Sequence, residues 1–174
     1  MDSYFDFMIL AEERFSVRSF TDEPVLPDIV SRILHAGHVA PTACNLQPQR
    51  IYVLESEEAL AKLKHCTPCH FNAPLAMLVC ANMDECWVRP FDGQLSGLVD
   101  VSIVTTHMML QATAEGLGST WVMHFDPETA AKEFGIPENE FPVALLVMGY
   151  AAEDAIPAPG HLRFRPIQET VVRL

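Results

Sequence analysis

Positive charge is scarce in this chain. Eleven Lys and Arg residues stand against 23 Asp and Glu in 174 residues, giving a formal net charge of −12. A nucleic acid or an anionic membrane surface would be repelled at long range, so neither is expected as a partner and small-molecule chemistry is favoured. Long hydrophobic runs are also missing. None approaches the roughly 20 apolar residues of a membrane span, and the opening MDSYFDFMILAEERF carries acids where a signal peptide needs bases. A cytoplasmic protein is the expectation. Cysteine is sparse and odd in number, at Cys44, Cys66, Cys69, Cys80 and Cys86. A chain of this length does not need disulfides to fold, so these thiols read as mostly reduced. Repeats, low-complexity tracts and linkers are lacking too, while 49% of the residues are hydrophobic. One domain spanning residues 1–174 is expected.

The order of apolar residues predicts alternating helices and strands. Phe5, Met8 and Ile9 recur at helical spacing behind Asp2 and Ser3, which can cap a first helix. Pro27 suits the first turn of a second helix, marked by Ile29, Val30, Ile33 and Leu34 and ending near Gly37. Residues 50–54 read as a strand, 57–65 as a polar helix and 75–81 as a short buried strand. The segment 99–115 is apolar on nearly every face, which predicts a central helix without a solvent side. Residues 119–122 follow as a strand, 127–134 as a helix ended by Gly135, and 143–150 as a fully buried strand. The proline-rich tail from Ala151 has no periodicity, so contacts with a core or a partner subunit must order it. An α/β or α+β fold of two or three layers follows.

Three clusters carry candidate chemistry. Arg14 and Arg18 flank Ser16 in RFSVRSF, and Arg163 and Arg165 alternate in RFRP near the end. Guanidinium groups bind phosphate in bidentate geometry, and a hydroxyl between them can donate to the same anion. Arginines past a helix C-terminus also offset the helix dipole, and spacing alone does not show that the two basic knots meet. The loop APTACNLQPQ offers Thr42, Asn45 and Gln47, whose amides can pair with the polar edge of a heterocycle; Pro41 and Pro48 equally shape an ordinary turn. The third cluster is HCTPCH, with Cys66, Cys69 and His70 at the C-x-x-C-H spacing. Haem attachment belongs to exported proteins, zinc lacks a second closely spaced ligand pair, and a redox dithiol is activated best at a helix N-terminus, whereas this pair follows a helix. Ordinary part-buried thiols are the favoured reading, with zinc and a redox dithiol kept as alternatives.

The order R-x-S-x-R-x-F, then A-P-T-A-x-N-x-Q-P, then G-L-G-S-T-W resembles the nitroreductase family over nearly the whole chain. The resemblance implies an α+β, three-layer fold with a central, mostly antiparallel sheet flanked by helices, in an intertwined homodimer. It implies FMN as cofactor and NAD(P)H as electron donor. Arg14, Ser16 and Arg18 would hold the FMN phosphate, completed by Arg163 and Arg165. Thr42, Asn45 and Gln47 would approach the flavin from the other subunit. Val122, Met123 and His124, following Trp121, would lie beside the ring with a backbone N–H near its N5.

The chain departs from the family pattern at Gln49, where an aromatic commonly follows Q-P, and at Met123 and His124, where a small residue is common. It is also short for the family, so an open pocket and a broad acceptor range are expected. The implied activity is ping-pong transfer of electrons from NAD(P)H to a nitroaromatic, quinone or activated alkene. No residue is assigned as catalytic acid or base, with His124 the one candidate proton donor. The rival readings are a non-enzymatic flavin carrier or sensor and a metal-binding protein built on the cysteine cluster. Elsewhere, Cys44 reads as a small buried hydrophobe, His107 as a hydrogen-bonded core histidine, Asp100 as a helix cap, and Glu55, Glu57 and Glu58 as a solvated face.

Overall fold

The computed structural model of the protein describes residues 3–174, with side chains from Phe7 onward. Asp2 and the side chains of Ser3 and Phe5, expected to start the first helix, lie outside the described residues. The elements run α1 Ser3–Glu13, α2 Pro27–His38, β1 Gln49–Leu54, α3 Glu57–Cys66, β2 Leu75–Asn82, α4 Gly97–Ala114, β3 Gly118–Val122, α5 Pro127–Phe134, β4 Glu140–Gly149 and the short α6 Ile167–Thr170.

Local chemistry sets several boundaries. Ser56 accepts from the Ala59 N–H and caps α3. Asp126 accepts from the Glu128 N–H, Pro127 occupies the first turn, and Gly135 closes α5 in the left-handed conformation at φ 64°. The four strands lie in the order β1-β2-β4-β3 with every pairing antiparallel. β2 and nearly all of β4 are buried, because helices cover both faces. Ile33 of α2 and Val101, Val104 and Met108 of α4 pack with Met77, Val79, Leu146 and Met148 on one face. Leu63 of α3 and Ala130 of α5 pack with Ala76, Leu78, Leu145 and Val147 on the other. The result is three layers, α/β/α, as the α+β expectation required.

Two expectations change. The last strand begins at Glu140 rather than Val143, running through Pro142 where β3 no longer lies alongside, and the register shifts between Val79 and Cys80 to leave Val143 as a bulge. The helix expected to lack a solvent side has one within the chain. Gly97, Val101, Val104, Thr105, Met108 and Ala112 are buried against the sheet and α2, but Leu98 is 52% and Val99 55% exposed. Its apolar outer side borders a groove of about 760 Å³ that Phe7, Val39, His107 and Leu110 help to line. Among the described residues no element covers that side, so all-round hydrophobicity overstated burial.

The segment after α1 is laid against the outer edge of β3. Val17 donates its N–H to the Ser119 carbonyl at 3.1 Å, and the Thr120 hydroxyl donates to the Val17 carbonyl. Gly118 permits the approach: a Cβ there would meet Val17 side-chain atoms at 2.6–2.9 Å. Val17 is itself buried, so neither side can retreat. Gly118→Ala is therefore expected to lower stability by about 1–3 kcal/mol, read from urea unfolding; an unchanged midpoint would contradict the close packing.

Candidate functional site

The first basic knot is held by main-chain bonds and left electrostatically open. The Arg14 N–H closes the last turn of α1 on the Leu10 carbonyl at 3.2 Å, and Ser16 bridges Ser119 in parallel register. Arg18 Nη1 donates to the Ser16 carbonyl at 3.1 Å. Among the described ion pairs none uses Arg14, Arg18 or Arg163, although acids outnumber bases two to one. Close by, Ser119 Oγ is buried without a hydrogen-bond partner. Guanidinium groups without a carboxylate partner remain available to an anion.

The tail crosses this same segment. Phe20 bridges Ala151, the Ala152 N–H donates to the Ser19 carbonyl at 3.0 Å, and Ser19 Oγ donates to Asp154 at 2.8 Å. The Phe15 and His161 rings meet edge-on, their centroids 6.1 Å apart. Arg163 and Arg165 follow His161 by two and four positions and stay exposed, and Arg165 pairs at 3.7 Å with Glu169. The structure thus brings the tail to the first knot without recording a contact between the two sets of guanidinium groups.

The loop carrying Thr42, Asn45 and Gln47 is built on backbone strain. Cys44, Asn45 and Gln47 have φ of 50°, 55° and 52°, a region costing roughly 1–2 kcal/mol per residue for side chains other than glycine. Thr42 Oγ1 accepts from the Gln47 N–H at 3.1 Å, and Gln47 Nε2 donates to the Asn45 carbonyl at 3.3 Å. Asp100 anchors the loop. This buried carboxylate accepts from the Ala43 N–H at 2.8 Å and from the Ser96 hydroxyl at 2.6 Å. Expected as a cap, Asp100 lies in the first turn of α4 but accepts from no amide of its own helix; the N-cap position belongs to Ser96. Among the described residues no hydrogen bond or ion pair joins this loop to Arg14, Ser16, Arg18 or Met123.

The third part is the turn after β3. Val17 bonds to Ser119 on the side of β3 away from β4, and strand alternation aims the N–H groups of Trp121 and Met123 at that same open edge, where neither has a partner among the described residues. Val122 is buried, Met123 and His124 are exposed, and Trp121 Nε1 lies 3.2 Å from Met123 Sδ. The cysteine motif packs directly beneath. The Asp126 N–H donates to the Cys66 carbonyl at 2.9 Å, Thr67 Oγ1 donates to the His124 carbonyl at 2.5 Å, and Cys69 Sγ lies 3.9 Å from His124 Nδ1.

The five thiols divide by environment. Burial pushes Cys66 up to about 11 and Cys80 up to about 12, and raises Cys86 as well. Cys44, expected to be buried, is instead exposed on the turn of its loop, and Cys69 is half-buried. Among the described residues no group of three or more His, Cys, Asp or Glu stands where it would hold a metal ion. His107 Nδ1 lies 2.9 Å from the Ile103 carbonyl and borders the open groove rather than the core. Thr67 escaped the sequence reading and Asp100 was read only as a helix cap, since each acts through a partner distant along the chain.

The nitroreductase family model matches residues 11–78 and 70–150, and the chain belongs to that family. A nitroreductase family protein of known structure from Clostridium difficile is 40% identical, with 94% of this chain and 95% of that chain covered and a TM-score of 0.88. An NADH dehydrogenase from Thermus thermophilus is 27% identical, the match covering 85% of this chain and 88% of the relative. An FMN reductase (NAD(P)H) from Bacillus subtilis is 25% identical over 83% of this chain, which spans 65% of that protein's length. None of the described helices is long and apolar enough to cross a membrane.

Two measurements follow. Near pH 8, below the raised thiol pKa values of Cys66 and Cys80, an alkylating reagent is expected to label Cys44 and Cys69 and leave Cys66, Cys80 and Cys86 protected until the chain unfolds. Peptide mapping reads the order, and early labelling of Cys80 would overturn the burial argument. Asp100→Ala strips the Ala43 N–H and the Ser96 hydroxyl of their acceptor and is expected to cost about 1–3 kcal/mol. Faster hydrogen exchange at Ala43 would mark the released loop.

Proposed function

We propose that this protein is an FMN-dependent oxidoreductase of the cytoplasm, one domain per chain in a homodimer, that takes electrons from NAD(P)H and gives them to a small organic acceptor. The observation that carries this reading is the pairing of unneutralised Arg14 and Arg18 with the open edge of β3, where the Trp121 and Met123 amides face outward. One end offers a phosphate site and the other offers donors for a flat heterocycle. The names of the Bacillus and Thermus relatives support the same chemistry.

Arg14, Ser16 and Arg18 would hold the phosphate, with Arg163 and Arg165 brought over by the tail. Ser119 Oγ supplies a further buried group beside Ser16. Val122, Met123 and His124 would border the ring. Thr42, Asn45 and Gln47 would come from the second chain, which explains why one chain keeps that loop apart and why Leu98, Val99 and the apolar tail residues Leu162 and Phe164 stay exposed. When bound, FMN supplies reversible two-electron chemistry. The protein's part is to anchor by charge, to aim backbone donors and to leave an open face. Donor and acceptor use that face in turn, the kinetic form being ping-pong and the acceptor a nitroaromatic, quinone or activated alkene. His124, exposed on the turn, would be the candidate proton donor.

The experiment is an anaerobic absorbance spectrum of the purified protein before and after NADH, then NADPH. Bleaching of flavin bands is expected. Flavin that stays oxidised would favour a carrier, and none after reconstitution would refute the reading. Arg14→Ala with Arg165→Ala removes two charge-assisted partners and is expected to weaken FMN binding at least roughly 100-fold. Undiminished occupancy would overturn the phosphate assignment.

A further inference from the structure

The loop at residues 42–47 is bonded almost wholly to itself. The Asn45 N–H donates to the Thr42 carbonyl at 2.9 Å, the Leu46 N–H to the Ala43 carbonyl at 3.1 Å, and the Gln47 N–H to Thr42 Oγ1 at 3.1 Å. Among the described residues one hydrogen bond ties residues 42–47 to another element, and it is the Ala43 N–H donating to Asp100 Oδ1 at 2.8 Å. Asp100 is itself held in place. Only 2% exposed, it accepts the Ser96 hydroxyl on its second oxygen at 2.6 Å, and Ser96 Oγ in turn accepts from the Trp87 N–H at 3.1 Å. Among the described ion pairs none uses Asp100. A buried carboxylate thus stands on hydrogen bonds alone, aided by its place in the first turn of α4, where the helix dipole favours negative charge.

The peptide that Asp100 holds is the one from which the loop is built. The Ala43 N–H and the Thr42 carbonyl belong to a single rigid plane, so fixing the first fixes the direction of the second. That carbonyl is the acceptor for the Asn45 N–H, while the Thr42 hydroxyl is the acceptor for the Gln47 N–H. Asn45 and Gln47 therefore both hang from Thr42, and the Thr42–Ala43 peptide hangs from Asp100. Their positive φ values persist only where the surroundings over-determine them. The Asn45 side-chain amide is exposed and has no recorded partner among the described residues, and Gln47 uses one N–H on the Asn45 carbonyl. We infer that Asp100 is a positioning residue for the flavin site of the second chain, its carboxylate setting the peptide from which Asn45 and Gln47 are presented to that site. The role rests on the FMN reading above. Asp100 belongs to one chain and acts, without touching it, on the cofactor whose phosphate Arg14 and Arg18 of the other chain would hold.

Asp100→Ala removes the acceptor, whereas Asp100→Asn keeps an oxygen for the Ala43 N–H and turns an NH2 group toward Ser96 Oγ. Wild type and both variants are compared by FMN fluorescence quenching and, in the FMN-free form, by melting temperature and amide hydrogen exchange. The expected result for Asp100→Ala is about tenfold weaker FMN binding, the loss of one net hydrogen bond. Exchange should quicken at Asn45 and Gln47 but not at Val17, whose N–H is bonded to Ser119. Asp100→Asn should match wild type throughout. The deciding measurement uses a mixed dimer, co-expressed with two affinity tags, of one Asp100→Ala chain and one chain carrying Arg14→Ala and Arg18→Ala. One of its two sites joins an intact phosphate segment to an intact loop, so it is expected to bind one FMN per dimer as tightly as wild type, although neither parent dimer does. A mixed dimer that binds no better than Asp100→Ala overturns the role, because the loss then lies within the altered chain's own site or fold. A flavin-bound monomer does the same. So does an Asp100→Asn variant that binds weakly at an unchanged melting temperature, an outcome readable even where Asp100→Ala fails to fold. Wild-type protein that takes up no FMN would overturn the functional reading and this role together, whereas wild-type binding with an indifferent Asp100→Ala overturns the role alone.

Discussion

An edge strand presents a row of backbone donors and acceptors that must be covered, blunted or used. β3 is such an edge, and the structure divides it. Its first half is covered by Ser16 and Val17, drawn close because residue 118 has no side chain. Its second half is left open. The segment that covers the first half is the one that carries Arg14 and Arg18, so edge covering and the proposed anion site share one stretch of chain. The tail then fastens itself to that segment through Ser19 and Phe15 rather than to the core. Much of the candidate site is thus a consequence of how one short strand satisfies its outer edge.

The helical layers were readable from local signals. Asp126, Pro127 and Gly135 bracket α5, and the unbroken apolar run of β2 announces a strand covered on both faces, because these signals act within a few residues. The motifs bearing Arg14, Ser16 and Arg18 were legible because they are contiguous, and the structure keeps them on one extended segment. What failed to show in sequence is what depends on distant partners. Thr67 and His124 are 57 positions apart, as are Ala43 and Asp100, and nothing in either neighbourhood signals the pairing. Burial of α4 was overread for a related reason: hydrophobicity reports that a surface is to be covered, not which chain covers it.

Exposed apolar surface is found on the outer side of α4 and along the tail, where Ile156, Leu162, Phe164 and Ile167 are each at least 67% exposed. Monomeric proteins seldom leave so much continuous apolar area to water. The same two regions adjoin the residue sets proposed to meet around the cofactor. In the proposed dimer, burial of that surface and assembly of the site would be one event, and stability and cofactor occupancy would be linked through protein concentration.

The loop at Cys44, Asn45 and Gln47 carries its strain in the free chain, locked by Thr42 and Asp100. Ordering entropy at this loop is therefore lost during folding rather than at the encounter with a ligand. A ligand docking there meets a template already in shape, so its heat-capacity change should reflect the area of the ring it buries and little chain ordering. Association should also proceed as a single bimolecular phase, without a slower rearrangement behind it.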